Sequence, residues 1–422
     1  MHKLTDLHNG VKVCTIRMPN MKSISLGVWI AVGGRFEDKR LNGISHFLEH
    51  LLFKGTKQRD YRQIKEEIEG VGGLLNAFTS EELTCLIAKV VKNHIASAAS
   101  VLCDMCTNAL LSKSDIDRER PVILEEIKMY MDMPSQYVHE LMIELLWPKH
   151  PLGRPLAGTF ETVSRITGQD ILNFRDKYYV GCNITIVAAG SISHDLFVGQ
   201  IKKHFANSLP GEGSLFNPVD FMQNAINTKF YYKPTEQTHL SLGFPACSGV
   251  HPDRHALNLL HIILGANMSS RLFNEVRERL GLAYEIGTGI KRFKDTGAFY
   301  VHAGVENSKL HSAVTVILKE LAKIKKFGVR KDELHRAKEY YSGQTLLSLE
   351  DTMNYMLWCG DQLNMHGRFI QPAGIIRQIK KITARDLKRV ANELFQTKRI
   401  NLAVVGPQKE KEIKKIQKSL SI

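Results

Sequence analysis

Hydrophobic and polar positions fall into two recurring patterns along the chain. VKVCTI (11–16) and SLGVWIAVGG (25–34) alternate or run apolar like strands, as do KFYYK (229–233) and HLSLGF (239–244). ITIVAAG (184–190) and INLAVVG (400–406) are short apolar blocks of strand length. Between them lie segments with apolar residues at helical spacing, such as QIKEEIEGVG (63–72) and HSAVTVILKELAKIKKFG (311–328). Strands and helices come in blocks, without strict β–α alternation, which predicts an α+β fold. Each half is expected to close with a helix and a final apolar strand.

The pattern repeats. Ser25-Leu26-Gly27 returns as Ser241-Leu242-Gly243, Ile166-Thr167 with Asp170 as Ile382-Thr383 with Asp386, and the strand ending at Gly190 as the strand ending at Gly406. Arg120 and Arg336 keep the same spacing, and every displacement is 216 residues. Four coincidences at one offset predict a duplicated chain. LPGEGSLFNPVD (209–220) separates the copies and has the Gly/Pro content of a linker. The expected organisation is a domain over 1–208, a linker over 209–226 and a second copy over 227–422. Each copy is expected to be a mixed or antiparallel sheet packed with helices.

Charge sharpens the asymmetry between the copies. The chain carries 57 Lys and Arg against 43 Asp and Glu, a formal charge of +14. Residues 1–216 hold 25 basic and 24 acidic side chains, whereas 217–422 hold 32 and 19. Such an excess raises the question of an acidic partner. No zinc-finger spacing, RNA-binding aromatic motif or phosphate-cradling loop accompanies it, so no specific nucleic acid is expected. The opening MHKLTDLHNG lacks the apolar core of a secretion signal, and no apolar run approaches the roughly 20 residues of a spanning helix. A cytoplasmic protein without a membrane segment is the expectation. Seven cysteines fit reduced thiols, and Cys103 and Cys106, in an apolar helical stretch with no second pair, are expected to pack rather than bind metal.

The strongest chemical signal is His46-Phe47-Leu48-Glu49-His50. On a helix, residues four apart share a face, so two imidazoles so placed can hold one zinc ion while Glu49 reaches a water beside it. A catalytic zinc takes a third protein ligand. The segment DIDRERPVILEEIKMY offers Glu119, Glu125 and Glu126. Glu119 and Glu126, two turns apart, share a helix face, and Glu125 points about 100° away from Glu126.

His-Phe-Leu-Glu-His followed 76 positions later by Glu126 resembles the pitrilysin/insulinase family of zinc metallopeptidases. The branch resembled is that of the mitochondrial processing peptidase β subunit and its bacterial relatives. GGLLNAFTSEELT (72–84) is similar to the family's substrate-receiving edge strand, and SSRLFNEVRERLGLAYEIG (269–287) to its second-half signature. The resemblance covers about residues 5 to 408. It implies half of a clamshell peptidase chamber and a zinc endopeptidase acting on unfolded peptides, with one Zn2+ per chain. His46, His50 and Glu126 would be the zinc ligands, and Glu49 the general base on a zinc-bound water. Glu119 would orient a ligand imidazole; an ordinary ion pair with Arg118 or Arg120 is the plainer alternative. Asn76 and Ala77 would hold the peptide as an added strand. Arg277 and Tyr284 would stabilise charge on the scissile carbonyl; otherwise Tyr284 packs and Arg277 pairs with Glu275 or Glu278.

The second copy lacks this equipment. At an offset of 216, Glu126 maps to Ser342, and HALNLLHIILGA (255–266) contains no H-x-x-E-H. It is expected to contact substrate without binding metal. His94, His139, His251 and His302 are expected on the surface or satisfied in the core. The family resemblance implies pairing of two chains, as a homodimer or as a heterodimer with a paralogue. A non-catalytic or partner-dependent subunit of a processing-peptidase-like pair is the alternative reading.

Overall fold

The computed structural model describes residues 2–206, 208–220 and 222–422. Six strands form the first sheet: β1 (His2–Asp6), β2 (Lys12–Arg17), β3 (Ser23–Ile30), β4 (Leu74–Thr79), β5 (Thr84–Val91) and β6 (Ile184–Gly190). Their order is β1-β2-β6-β3-β5-β4. The second sheet holds β7 (Asn227–Tyr232), β8 (Gln237–Ala246), β9 (Ala283–Arg292), β10 (Gly297–Glu306) and β11 (Asn401–Gly406), in the order β7-β11-β8-β10-β9. Removing β1 makes the two orders identical. In each sheet one pair is parallel, β2 with β6 and β7 with β11, and all other pairs are antiparallel. The α+β reading and the duplication therefore hold at the level of topology.

The repeated Ile-Thr-x-x-Asp has a local cause. Thr167 and Thr383 are N-caps whose hydroxyls accept from the N–H of Asp170 and Asp386, and each Asp reaches back to the cap N–H. These reciprocal bonds satisfy donors that a helix start otherwise leaves open. Arg120 and Arg336 do not share a role. Arg120 donates to the carbonyls of Val163 and Ile166, whereas Arg336 bonds Asp332 on an exposed helix.

Two compact units emerge, and they depart from the expected halves. One contains residues 1–128, 154–217 and 347–369; the other contains 129–153, 218–346 and 370–422. Each copy thus contributes one helical segment to the other's unit. In the first unit, helix Thr352–His366 lies on the sheet, with Met356, Cys359 and Leu363 buried against Cys14, Ile16, Trp29, Val187 and Ala189. In the second, helix Pro134–Leu146 places Val138, Leu141, Met142 and Leu146 against Phe293, Ala298, Ala403 and Val405. The glycine of each Ser-Leu-Gly repeat makes room for this helix. A Cβ on Gly27 would sit 2.4 Å from the Trp29 ring and 2.7 Å from Met356 Sδ, and one on Gly243 would sit 2.5 Å from Met142 Sδ. The repeat is therefore a packing signature of the exchanged helix.

Residues described between 208 and 226 form no helix or strand, in keeping with a linker. The apolar strands β6 and β11 are not the last elements of their copies. Helices His194–His204 and Glu410–Lys418 follow them, each with few buried residues in a Lys-rich stretch, so charge hides their weak apolar face. No helix among the described residues is long and apolar enough to cross a membrane. Cys103 and Cys106 are buried thiols in helix Ile95–Asn108, and all seven cysteines are free.

Candidate metal centre

Helix Ile44–Leu52 buries Ile44, Phe47, Leu48, Leu51 and Leu52, the i, i+3, i+4, i+7, i+8 stripe of a helix packed on one side. His46, Glu49 and His50 fall on the other side. The helix start is fixed by a residue the sequence reading missed. Glu37 is fully buried, and its carboxylate accepts from the N–H groups of Gly43 at 2.8 Å and Ser45 at 2.9 Å, and from Asn42 Nδ2 at 3.1 Å. Gly43 has φ of 96°, and a Cβ there would meet the Ala157 carbonyl at 2.7 Å, so the entry turn requires glycine. Burial still holds the Glu37 carboxyl above its ordinary pKa, against the hydrogen bonds that favour its ionised form.

The long helix Lys113–Asp132 supplies the carboxylates. Glu126 Oε2 lies 3.6 Å from His46 Nε2 and 3.5 Å from His50 Nε2. One ligating atom from each of His46, His50 and Glu126 falls within 4.8 Å of the others, the only such group of three among the described residues. Glu119 Oε1 is 2.8 Å from His50 Nδ1, and its other oxygen is 2.5 Å from Lys54 Nζ. Glu119 therefore pairs with His50 and Lys54, not with Arg118 or Arg120. Glu125 points away and pairs with Lys128 on the exposed side.

The electrostatics of this cluster, free of metal, follow from its crowding. Burial and the neighbouring His50 push the His46 imidazole down to about 4. Burial acts the same way on His50, but its bonds to Glu119 and Glu126 outweigh it and raise that imidazole to about 9. Two carboxylates thus gather one proton onto His50, in the place where a dication's charge would be neutralised. Burial alone would raise the Glu119 carboxyl; the His50 and Lys54 hydrogen bonds reverse that and lower it. The donor set fits zinc: two imidazoles, one carboxylate, and a carboxylate behind His50 that fixes which ring nitrogen faces the ion.

Glu49 stands beside this group. Burial raises its carboxyl pKa, while a hydrogen bond from Thr79 pulls the other way. Thr79 ends β4, the last strand of its sheet, which pairs only with β5. The Ser80 N–H bonds the Leu83 carbonyl. By antiparallel alternation, the N–H and C=O groups of Leu75, Ala77 and Thr79 then face the open edge. Asn76 Oδ1 accepts the Ala77 N–H at 2.8 Å. Asn76 and Ala77 thus sit on the outer strand of the sheet, with the Ala77 carbonyl turned to the outer edge and its N–H held by the Asn76 side chain.

Arg277 and Tyr284 belong to the second unit, where they lie side by side. The Arg277 guanidinium is 5.4 Å from the Tyr284 ring centre and 4.7 Å from that of Phe273, with Glu278 at 3.9 Å. Tyr284 is 77% exposed on β9, the terminal strand of its sheet. Ser342, opposite Glu126 in the repeat, bonds the Lys338 carbonyl inside its own helix. His139 and His302, expected on the surface or satisfied in the core, are in contact with each other, with ring centres 5.6 Å apart. Together with His239 and Glu285 they line a cavity of about 230 Å³.

Comparisons with known proteins place this geometry in a family. Residues 12–160 match the insulinase family, peptidase family M16, and residues 165–341 match the peptidase M16 inactive domain. The chain is 35% identical to a protein of Streptomyces coelicolor described as an uncharacterized zinc protease, over 99% of this chain and 92% of that one. It is also 35% identical to a Bacillus subtilis protein of the same description, over 96% and 98%. Among solved structures, a Helicobacter pylori protease superposes with a TM-score of 0.90 at 24% identity, over 96% of this chain and 99% of that one. A chain of Candida albicans complex III2 superposes with a TM-score of 0.85 at 21% identity, over 99% of each. The chain belongs to the insulinase-type zinc peptidase family.

Proposed function

We propose that the protein is a zinc-dependent endopeptidase that hydrolyses unfolded peptides. The observation that carries the proposal is the convergence of His46, His50 and Glu126, backed by Glu119 and flanked by Glu49. Zinc bound by those three side chains would acidify water toward about pH 7 and polarise a peptide carbonyl. Glu49 would take the proton of the attacking water and return it to the leaving amine. The open edge of β4 at Asn76 and Ala77 would align the peptide through main-chain hydrogen bonds, which tolerate many side chains.

The reading extends to assembly. Two chains would pair, as a homodimer or with a paralogue, so that Arg277 and Tyr284 of one chain complete the site of the other. The exposure of Tyr284 and its contact with Arg277 support this role. The alternative of a non-catalytic subunit is disfavoured by the complete set of ligating side chains.

The test is digestion of a peptide library by zinc-loaded wild type and by Glu49→Gln, read by mass spectrometry. Cleavage by wild type alone is expected. Equal cleavage by both, or none by a zinc-loaded wild type, would overturn the proposal.

A further inference from the structure

Thr79 lies on the edge strand, 30 positions along the chain from Glu49, and carries no chemistry of its own. Its hydroxyl donates to Glu49 Oε2 at 2.5 Å, within the range of a charge-assisted O–H···O− bond. This is the one side-chain hydrogen bond to Glu49 that the structure records among its described residues. Glu49 is half-buried, so its carboxylate is only partly oriented by water. The surroundings of Thr79 are rigid on the inner side. β4 pairs with β5 in continuous register from Leu74 to Thr79, and the hairpin after it is held by Ser80 bonds to Leu83.

The outer side of Thr79 is different. On the outer edge its C=O is presented alongside that of Ala77, whereas its N–H on that side lies against the Glu49 carboxylate and the Ala77 N–H against Asn76 Oδ1. One residue therefore presents its carbonyl to the edge where an extended peptide would dock, and its hydroxyl and N–H to the carboxylate that would handle the proton.

We infer that Thr79 is a positioning residue for Glu49, coupling peptide docking on the β4 edge to the orientation of the base. The inference rests on the peptidase reading above. A peptide added to the edge would fix the Thr79 backbone; the hydroxyl, on the Cβ which that backbone carries, would then hold one Glu49 oxygen and leave the other for the proton. Zinc ligation would fall to His46, His50 and Glu126, and Thr79 is not one of them. A valine in its place keeps the shape and removes the donor, and a serine keeps the donor and removes the methyl.

The experiment compares wild type, Thr79→Val, Thr79→Ser and Glu49→Gln on one long peptide, with kcat and KM separated and zinc measured on every protein. Thr79→Val is expected to keep its zinc and its KM within about twofold while kcat falls roughly 10- to 100-fold, the scale of a misplaced catalytic group. Thr79→Ser should recover most of kcat. A second readout uses chelated protein, where activity plays no part. Thr79→Val should lower the unfolding midpoint in the Glu49 background more than in the Glu49→Gln background, because only the former leaves a charge short of its donor.

Wild-type kcat in Thr79→Val, with Glu49→Gln silent, would overturn the inference and leave the peptidase reading standing. Equal impairment of Thr79→Ser and Thr79→Val would also overturn it, because the hydroxyl would then be irrelevant. Failure of zinc-loaded wild type to cleave would instead sink the underlying reading.

Discussion

The two units share a sheet order, a parallel strand pair, a glycine under a crossing helix and a threonine-capped helix, yet they carry different side chains where chemistry would sit. In the first, a helix turns His46, Glu49 and His50 toward Glu126. In the second, helix Arg254–Leu264 buries His255 and all of its apolar residues, and no such group is found there among the described residues. Most side chains differ between the units, and what is common is the sheet order and the packing of a crossing helix over a glycine. A fold of this kind is a scaffold onto which a site is placed or from which it is lost.

Four expected outcomes press on that comparison. The largest effect should come from Glu49→Gln, which keeps zinc and lowers kcat by roughly 10²- to 10⁴-fold, the usual worth of a positioned general base. Steady-state kinetics on a fluorogenic peptide decides it, and an unchanged rate would remove the chemical distinction between the units. Glu119→Gln should weaken zinc binding by roughly 10- to 100-fold, since it loosens the imidazole of His50. Competition against a chromophoric chelator measures this, and Lys54→Met should act in the same direction with a smaller shift.

The glycines give a like-for-like test. Gly27→Ala forces a methyl against the ring of Trp29 as well as Met356, and should destabilise by roughly 1–3 kcal/mol. Gly243→Ala meets only the flexible Met142 and should destabilise by under about 1 kcal/mol. Denaturant unfolding of the two variants side by side would show it. Equal effects would mean the two crossing helices are held alike.

The last expected effect is a pH dependence of the second unit. Burial, with His302, Lys291 and His239 nearby, pushes the His139 imidazole down to about 4, and burial with Arg292 and His302 does the same for His261. Their folded pKa values lie below the ordinary 6.5, so between about pH 6.5 and 4 the unfolded chain binds more protons. Stability should therefore be full above about pH 6.5 and fall as pH drops toward 4. Thermal unfolding of metal-free protein at stepped pH measures this. His139→Gln and His261→Gln should flatten the profile, and an unchanged slope would count against the burial of these rings.

Much of this was readable in the sequence where the signal was local or repeated. His46 to His50 is one turn of helix, so spacing alone put both imidazoles on one face. The 216-residue offset exposed the duplication because cap and strand chemistry repeat. The exchange of helices was invisible, because Met142 and Met356 are ordinary apolar residues and nothing local says which sheet they meet. Its trace was Gly27 and Gly243, noticed as a repeat but not as a space. Glu37, Lys54 and Thr79 were missed for a related reason. Lys54 and Thr79 act on residues far along the chain and Glu37 on a turn just ahead of it, and none stands in a spacing that marks metal or acid–base chemistry. Glu119 and Glu126 could be placed on one face by helix arithmetic, but which of them faces both imidazoles depends on where the two helices lie in space.

The most direct measurement is zinc content per chain by elemental analysis of protein prepared without chelator, for wild type, His46→Ala and Glu126→Ala. The account predicts about one zinc in wild type and none in either variant, with the fold intact by circular dichroism. Zinc retained in both variants, or absent from the wild type, would contradict it.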